Sequence, residues 1–165
     1  MASQIIVGVM GPGEAATPDQ NDLAYELGKA IALEGWAVLT GGRAFGVMDA
    51  ALKGAKQNGG LTIGILPHDA RGSSSYADIK IITGMGGIRN QINILSSHVI
   101  VAIGMSSGTA SEVSLAIKAD KRVILLQQDE LTTHFFLKIG SHRLVEASDI
   151  AQAISEIKKI LSVNR

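Results

Sequence analysis

The chain has 165 residues, enough for one compact domain on the usual roughly 100–200 residues per domain and too few for a cofactor domain joined to a separate substrate domain. Hydrophobic residues make up 46% of it and charged residues 18%, which excludes intrinsic disorder, and 15 Lys and Arg balance 15 Asp and Glu, which argues against a general nucleic-acid binder. Cysteine is absent, excluding disulfides, thiolate zinc sites and cysteine nucleophiles, and no apolar run reaches the roughly 18 residues of a membrane span. The Met-Ala-Ser-Gln start lacks the basic region of a secretory signal, so a cytoplasmic protein is expected.

In chain order, Ile5 to Met10 reads as a buried strand, followed by a helix from about Asp19 to Glu34 with Thr17 as N-cap and Pro18 at its first position. Gly35 ends that helix. Trp36 to Thr40 is a second strand, Gly46 to Asn58 a helix stopped by Gly59-Gly60, and Leu61 to Leu66 a third strand. Pro67 to Tyr76 is a polar loop. Ile79 to Thr83 is predicted as a short strand, Gly87 to Ser97 as a helix, His98 to Ile103 as a strand, Thr109 to Ala119 as a helix and Arg122 to Gln127 as a strand. The segment with His134 and Phe135-Phe136 takes no firm assignment, and Phe135-Phe136 is expected in the core or at a subunit contact. A short strand near Leu144-Val145 and an amphipathic helix from Asp149 to Leu161 complete the chain.

Continuously apolar strands alternating with helices predict a parallel sheet covered on both faces. The expected fold class is therefore α/β, a Rossmann-like doubly wound, mostly parallel sheet forming one domain over residues 1–165. Eleven of the 19 glycines fall in four clusters (Gly8, Gly11, Gly13; Gly41, Gly42, Gly46; Gly84, Gly86, Gly87; Gly104, Gly108). Each cluster lies in or after a strand and before a helix, so all four converge beyond the carboxyl ends of the strands, where such sheets bind ligands. One such turn is unremarkable; four on one edge predict a small-molecule pocket in which backbone N–H groups approach an anion.

Arg43 follows Gly41-Gly42, and Arg89 lies in the first turn of its helix, where a cation opposes the dipole and calls for a negative partner. That partner is either a protein carboxylate or a ligand phosphate, and Arg43 is open to being merely solvated. Gly104-Met-Ser-Ser-Gly-Thr-Ala-Ser-Glu112 offers hydroxyls and amides at another helix start. Thr109-Ala-Ser-Glu112 fits a capping box, which competes with a ligand-contacting or acid–base role for Glu112. Gly11-Pro-Gly13-Glu-Ala-Ala16 matches G-x-G-x-x-A only weakly, because Thr17-Pro18 delays the helix. The second strand ends in Thr40-Gly41-Gly42 without the acidic residue that holds a ribose, which disfavours a standard NAD site, and no P-loop is present. His68, His98, His134 and His142 show no metal-ligand spacing, so no protein-bound metal is expected. Met48 and Met85 are placed to pack on a flat ligand or to fill the core.

Taken together, Gly41 to Met48, Arg89-Asn90 and Gly104 to Glu112 resemble the LOG-like (lysine-decarboxylase-like) Rossmann superfamily over nearly the whole chain. Members hydrolyse cytokinin riboside monophosphates or AMP to free base and ribose 5-phosphate, and the resemblance places Glu112 and Arg89 at the catalytic Glu and Arg. The superfamily's Pro-Gly-Gly is replaced here by Gly104 to Ser106, with Ser107 next, and its Arg-Lys by Arg89-Asn90. The variant motifs G-G-R-x-x-G-V-M (Gly41 to Met48), G-M-G-x-x-R-N (Gly84 to Asn90) and S-G-T-x-S-E-V (Ser107 to Val113) resemble the molybdenum cofactor carrier proteins more closely. That resemblance implies a homo-oligomer, dimer or tetramer, that binds molybdopterin cofactor unchanged, protects it, and exchanges it with molybdoenzymes or cofactor-synthesis proteins, with neither nucleic acid nor membrane as partner. It implies cofactor contacts from Gly11, Gly13, Thr40, Gly41, Gly42, Gly46, Met48, Gly104, Ser106, Ser107, Gly108, Thr109 and Glu112. Arg43 and Arg89 would neutralise the anionic groups, Asn90 would hydrogen-bond pterin or phosphate, and the Pro67 to Tyr76 loop with Arg71 would close over the site. The carrier reading assigns no catalytic residue. The enzyme alternative is a nucleoside 5′-monophosphate phosphoribohydrolase using Arg89 and Glu112, and a nucleotide-sensing module is a third class.

Overall fold

A computed structural model describes residues 4–163; the first three residues, part of the start read above as lacking a secretory signal, lie outside it. Among the described residues seven strands are formed: β1 (Ile6–Met10), β2 (Ala37–Thr40), β3 (Thr62–Leu66), β4 (Ile79–Ile82), β5 (Val99–Ile103), β6 (Val123–Leu126) and β7 (Leu144–Ala147). Six helices connect or follow them: α1 (Pro18–Leu33), α2 (Gly46–Gln57), α3 (Arg89–Ser96), α4 (Ser107–Lys118), α5 (Glu130–Gly140) and α6 (Ile150–Val163). The sheet order is β4-β3-β2-β1-β5-β6-β7, and every pairing is parallel. This is the α/β Rossmann-like fold expected from the alternation of apolar strands and helices.

Side-chain alternation explains why the inner strands read as unbroken apolar runs, since each of them faces a core on both sides. Val7, Val9, Val38, Val99, Val101, Ile124 and Leu126 join α1, α2 and α6 in one buried cluster. Met10, Leu39, Ile63, Ile65, Ile100, Ala102, Val123 and Leu125 join residues of α3, α4 and α5 in the other. On the first face α1 and α2 cross with almost no side chain between them. A Cβ at Gly28 would strike the Ala51 carbonyl oxygen, and one at Gly54 the Tyr25 carbonyl oxygen.

Thr17 caps α1 as expected, and the cap is a full capping box. Gln20 N donates to Thr17 Oγ1 at 3.2 Å while Thr17 N donates to Gln20 Oε1 at 3.1 Å. Most element ends fall within one or two residues of the sequence reading, and three places are instructive. The helix expected from Gly87 begins as a single 3₁₀ turn, Gly86–Ile88, and becomes α-helical at Arg89. The helix expected from Thr109 begins at Ser107. The unassigned segment is α5, capped by the Asp129 side chain on Thr132 N, with Thr133, Phe136 and Gly140 turned inward. Phe136 is buried and Phe135 exposed. β4, at the sheet edge, exposes all four of its residues.

Candidate functional site

Strand order reverses between β1 and β5, so the loops leaving those two strands diverge and open a crevice at their carboxyl ends. β1 ends in Gly11-Pro12-Gly13 and β5 in Gly104, the next strand end is Thr40-Gly41-Gly42 of β2, and α3 and α4 begin beside them. The turns lock together through backbone. Val47 N donates to the Pro12 carbonyl oxygen at 3.0 Å, and Gly46, at φ +63°, lies so close to the Pro12 and Gly13 carbonyls that a Cβ there would collide with both. Gly104, at φ +61°, is pressed against the Gln20 amide of the α1 capping box, and Gln128 Nε2 donates to the Ala102 and Gly104 carbonyls at 3.0 and 2.9 Å.

Two guanidinium groups enter this crevice from different turns. Arg89, at the first position of α3, reaches over β2 until its Nη1 lies 2.5 Å from where a Gly41 Cβ would stand, and Met48 Sδ lies 2.7 Å from that point. Arg43 stacks over the Phe45 ring at 5.3 Å from its centroid. The Nε atoms of both arginines are buried without a hydrogen-bond partner among the described residues. Neither arginine forms an ion pair among the described residues, and Arg89 Nη1 donates only to Asn90 Oδ1 at 3.2 Å. Burial pushes the Arg89 pKa below its ordinary value; Glu112 opposes this and the Arg43 charge adds to it. Two cations held this close and underpartnered carry donors that suit an anion. The apolar wall comes from Phe45 and Met48, both packed against Gly13.

Two of the helix starts at the crevice, those of α2 and α3, lack a side-chain cap. α1 and α5 have side-chain caps, and α6 has Asp129's counterpart in Asp149, which accepts from Gln152 N at 2.8 Å. At α4 the Ser106 hydroxyl accepts from Thr109 N at 3.2 Å, leaving the first-turn amides of Ser107 and Gly108 for another acceptor. Ser107 and Gly108 are exposed, and a Gly108 Cβ would meet nothing closer than Ser106 Oγ at 3.8 Å.

Glu112 corrects the capping-box expectation. α4 starts at Ser107, ahead of Thr109, with Ser106 as its cap, and Glu112 lies beyond the first turn, where no N-cap amide is within its reach. It is 7% exposed and accepts from Asn93 Nδ2 of α3 at 2.9 Å. Burial raises its pKa above the ordinary value, opposed by the Asn93 hydrogen bond and the Arg89 charge.

Other expected site residues are brought to the same crevice in different roles. Thr40 and Thr109 are fully buried: Thr40 Oγ1 accepts from Gly42 N at 3.0 Å and shapes the β2 turn, while Thr109 Oγ1 lies 2.9 Å from Ser106 Oγ. Asn90 joins the two helix starts through Ser111 Oγ at 3.4 Å. The Pro67 to Tyr76 loop is zipped onto the β2 turn, with Ala44 N donating to Gly72 O at 3.0 Å and Ser74 N to Gly42 O at 2.8 Å. Arg71 is exposed and paired with Asp69 at 2.7 Å, so it does not reach the crevice. Met85 is exposed. Asn93, Gln20 and Gln128 were missed by sequence reasoning, because their partners lie 19 or more residues away or across the sheet edge. Among the described residues no cluster of His, Asp or Glu is arranged to hold a metal ion. A large surface cavity, about 1280 Å³, lies at the opposite, amino end of the strands beside Gln4 and Val163. It holds none of the glycine turns.

The SLOG cluster4 family matches residues 4–156. The molybdenum cofactor binding protein of the phototrophic bacterium Rippkaea orientalis is 49% identical, with 98% of this chain and 99% of that chain covered and a TM-score of 0.94. The molybdenum cofactor carrier protein of Chlamydomonas reinhardtii is 48% identical, with 97% and 99% covered and a TM-score of 0.93. An uncharacterised protein of Archaeoglobus fulgidus is 41% identical over 121 residues, 73% of this chain and 79% of that one. On this match and these identities, the chain belongs to the SLOG cluster4 family and is a relative of the molybdenum cofactor carrier proteins within the LOG-like Rossmann superfamily.

Proposed function

We propose that this protein binds molybdenum cofactor as cargo, shields it from oxidation, and exchanges it with molybdoenzymes or cofactor-synthesis proteins in the cytoplasm. The observation that carries this reading is the pair of underpartnered guanidinium groups of Arg43 and Arg89 meeting at glycine turns beside an apolar wall of Phe45 and Met48. The cofactor is a flat pterin bearing a phosphate and an anionic molybdenum centre. Its phosphate suits the free amides of Ser107 and Gly108 with an arginine, and its ring system suits the Phe45 and Met48 wall. The names of the Rippkaea and Chlamydomonas relatives support the same cargo. In this reading Gly11, Gly13, Gly41 and Gly42 admit the ligand to the backbone, and Thr40, Gly46, Ser106 and Thr109 hold the turns in shape.

The test is direct. Ligand-free protein is mixed anaerobically with the cofactor and gel-filtered, and bound cofactor and its survival in air are quantified against a no-protein control. Stoichiometric retention with slowed oxidation is the expected result; no retention refutes the reading. A homo-oligomer belongs to the proposal, supported by the exposed Leu131, Phe135 and Ile139 stripe on α5 and the exposed isoleucines of β4. Light scattering giving a monomer mass would remove that part.

One observation favours the phosphoribohydrolase alternative: Glu112 is buried next to Arg89 instead of capping its helix. Release of ribose 5-phosphate from AMP by the unmodified protein would establish it, and its absence at high protein concentration would eliminate it.

A further inference from the structure

The floor of the crevice contains a carboxylate that the fold itself does not use. Among the described residues Glu112 caps nothing, and its only hydrogen bond is from the neutral amide of Asn93. Among the described residues its second oxygen accepts no hydrogen bond, and Asn93 Oδ1, on the facing helix and fully buried, has no donor either. Arg89 is the nearest cation, yet its guanidinium lies against Gly41 instead of pairing with Glu112. Removing a carboxylate from water without an ion pair is strongly unfavourable, and a neutral glutamine of the same shape would keep the Asn93 bond with a smaller desolvation penalty. The fold alone therefore gives no reason for a glutamate here, whereas a ligand rich in N–H donors does.

Resting on the carrier reading, we propose that Glu112 is the specificity-determining acceptor of the site, taking a hydrogen bond from an N–H of the cofactor's nitrogen heterocycle while Arg43, Arg89 and the α4 amides take its anionic groups. The division follows from charge. The arginines and the amides are donors only and cannot recognise N–H groups, and Glu112 is the one ionisable acceptor among the described side chains facing Arg89 from α4. A charge-assisted bond from an N–H to this carboxylate gains strength from the same burial that penalises the empty site. Desolvation raises the Glu112 pKa and Asn93 and Arg89 oppose it only in part, so a ligand N–H would add to the stabilisation of the ionised form.

The experiment compares Glu112→Gln with the unmodified protein in three measurements: anaerobic affinity for molybdenum cofactor, affinity for inorganic phosphate, and melting temperature without ligand. The expected result is a loss of cofactor affinity of about 10-fold or more, unchanged or tighter phosphate binding, and a melting temperature that is unchanged or raised. Retention of full cofactor affinity by the variant would overturn the proposal. So would a lowered melting temperature without ligand, which assigns Glu112 a structural role, or a parallel loss of phosphate affinity, which assigns it to positioning Arg89. If the unmodified protein binds no cofactor, the carrier reading itself fails, and this proposal fails with it.

Discussion

Gly41→Ala separates the site from the fold. The Cβ it adds would stand 2.5 Å from Arg89 Nη1 and 2.7 Å from Met48 Sδ, about 1 Å short of ordinary contact. Gly41 is not at positive φ, so the backbone accepts alanine without strain, and both obstructing atoms are the far ends of flexible side chains. The fold absorbs the change by swinging the arginine and methionine away, and stability should shift by less than about 1 kcal/mol. Affinity should not survive as easily. Displacing the Arg89 guanidinium removes a charge-assisted contact of about 1.5–3 kcal/mol, a loss of roughly 10- to 150-fold in cofactor affinity by anaerobic titration. Arg89→Ala should cost about the same. The double variant should lose little more than either single one, because both act on one group. A folded Gly41→Ala protein with undiminished affinity, or additive losses in the double variant, would refute the placement of Arg89 as anion anchor.

Gly108→Ala adds a methyl to open space in the first turn of α4, so the melting temperature should hold or rise by the equivalent of about 0.4–1 kcal/mol while affinity falls; a destabilised protein would show that the residue serves the fold. Gly28→Ala drives a Cβ into the Ala51 carbonyl at the α1–α2 crossing, where neither backbone can yield, and denaturant unfolding should show a loss of about 1–3 kcal/mol or more. Asp78 accepts from Thr62 Oγ1 at 2.8 Å and pairs with Lys56; the Lys56 bond, ahead of the Thr62 contacts, lowers its pKa, and burial opposes them. A depressed carboxylate pKa stabilises the fold above the unfolded value and loses that contribution as pH falls through the folded one. The stability gap between the protein and Asp78→Asn should therefore be present at pH 7 and close under acid; a gap that persists below both values would refute the ionic origin.

The sheet was legible because its period is local. Val7, Val9 and their neighbours are apolar on both faces, each crevice strand ends in a glycine turn, and every helix but one begins where composition changes. α5 escaped because Thr132, Thr133, Phe135 and Phe136 are poor helix formers, and only the inward spacing of Thr133, Phe136 and Gly140 after the Asp129 cap marks it as helical. The site was legible to the level of its turns, since glycine and arginine advertise what a strand end must do. Its wiring was not. Thr40 serves the turn through Gly42 N, and Thr109 is sealed under Ser106, details that depend on side-chain direction. The Thr109-x-x-Glu112 pattern suggested a local cap, yet Ser106 took the cap from three residues upstream, and Asn93 bound the glutamate across 19 residues of sequence.

Glu112 also makes a prediction about pH that distinguishes burial from use. Desolvation, its largest influence, raises the folded-state pKa above the unfolded value of 4.5, while Asn93 and Arg89 only partly offset it. Between the two values the folded protein binds more protons than the unfolded chain, so stability falls as pH rises through that window. The Glu112→Gln substitution removes the titration while preserving size and the Asn93 bond. Below pH 4.5 the unmodified protein and the Glu112→Gln variant should be equally stable without ligand, both neutral at this site. Toward about pH 8 the unmodified protein should become the less stable of the two. The charged groups that bear on this carboxylate are Arg89 from α3 and, through Arg89, Arg43 from the β2 turn. Arginine side chains do not titrate in this range, so the change in the stability difference belongs to Glu112. Thermal melts of the two proteins from about pH 4 to about pH 8 measure it. A stability difference that is constant with pH, or one that favours the unmodified protein as pH rises, would mean that Arg89 already pairs with Glu112 in solution, and would leave the crevice without a carboxylate held for its ligand.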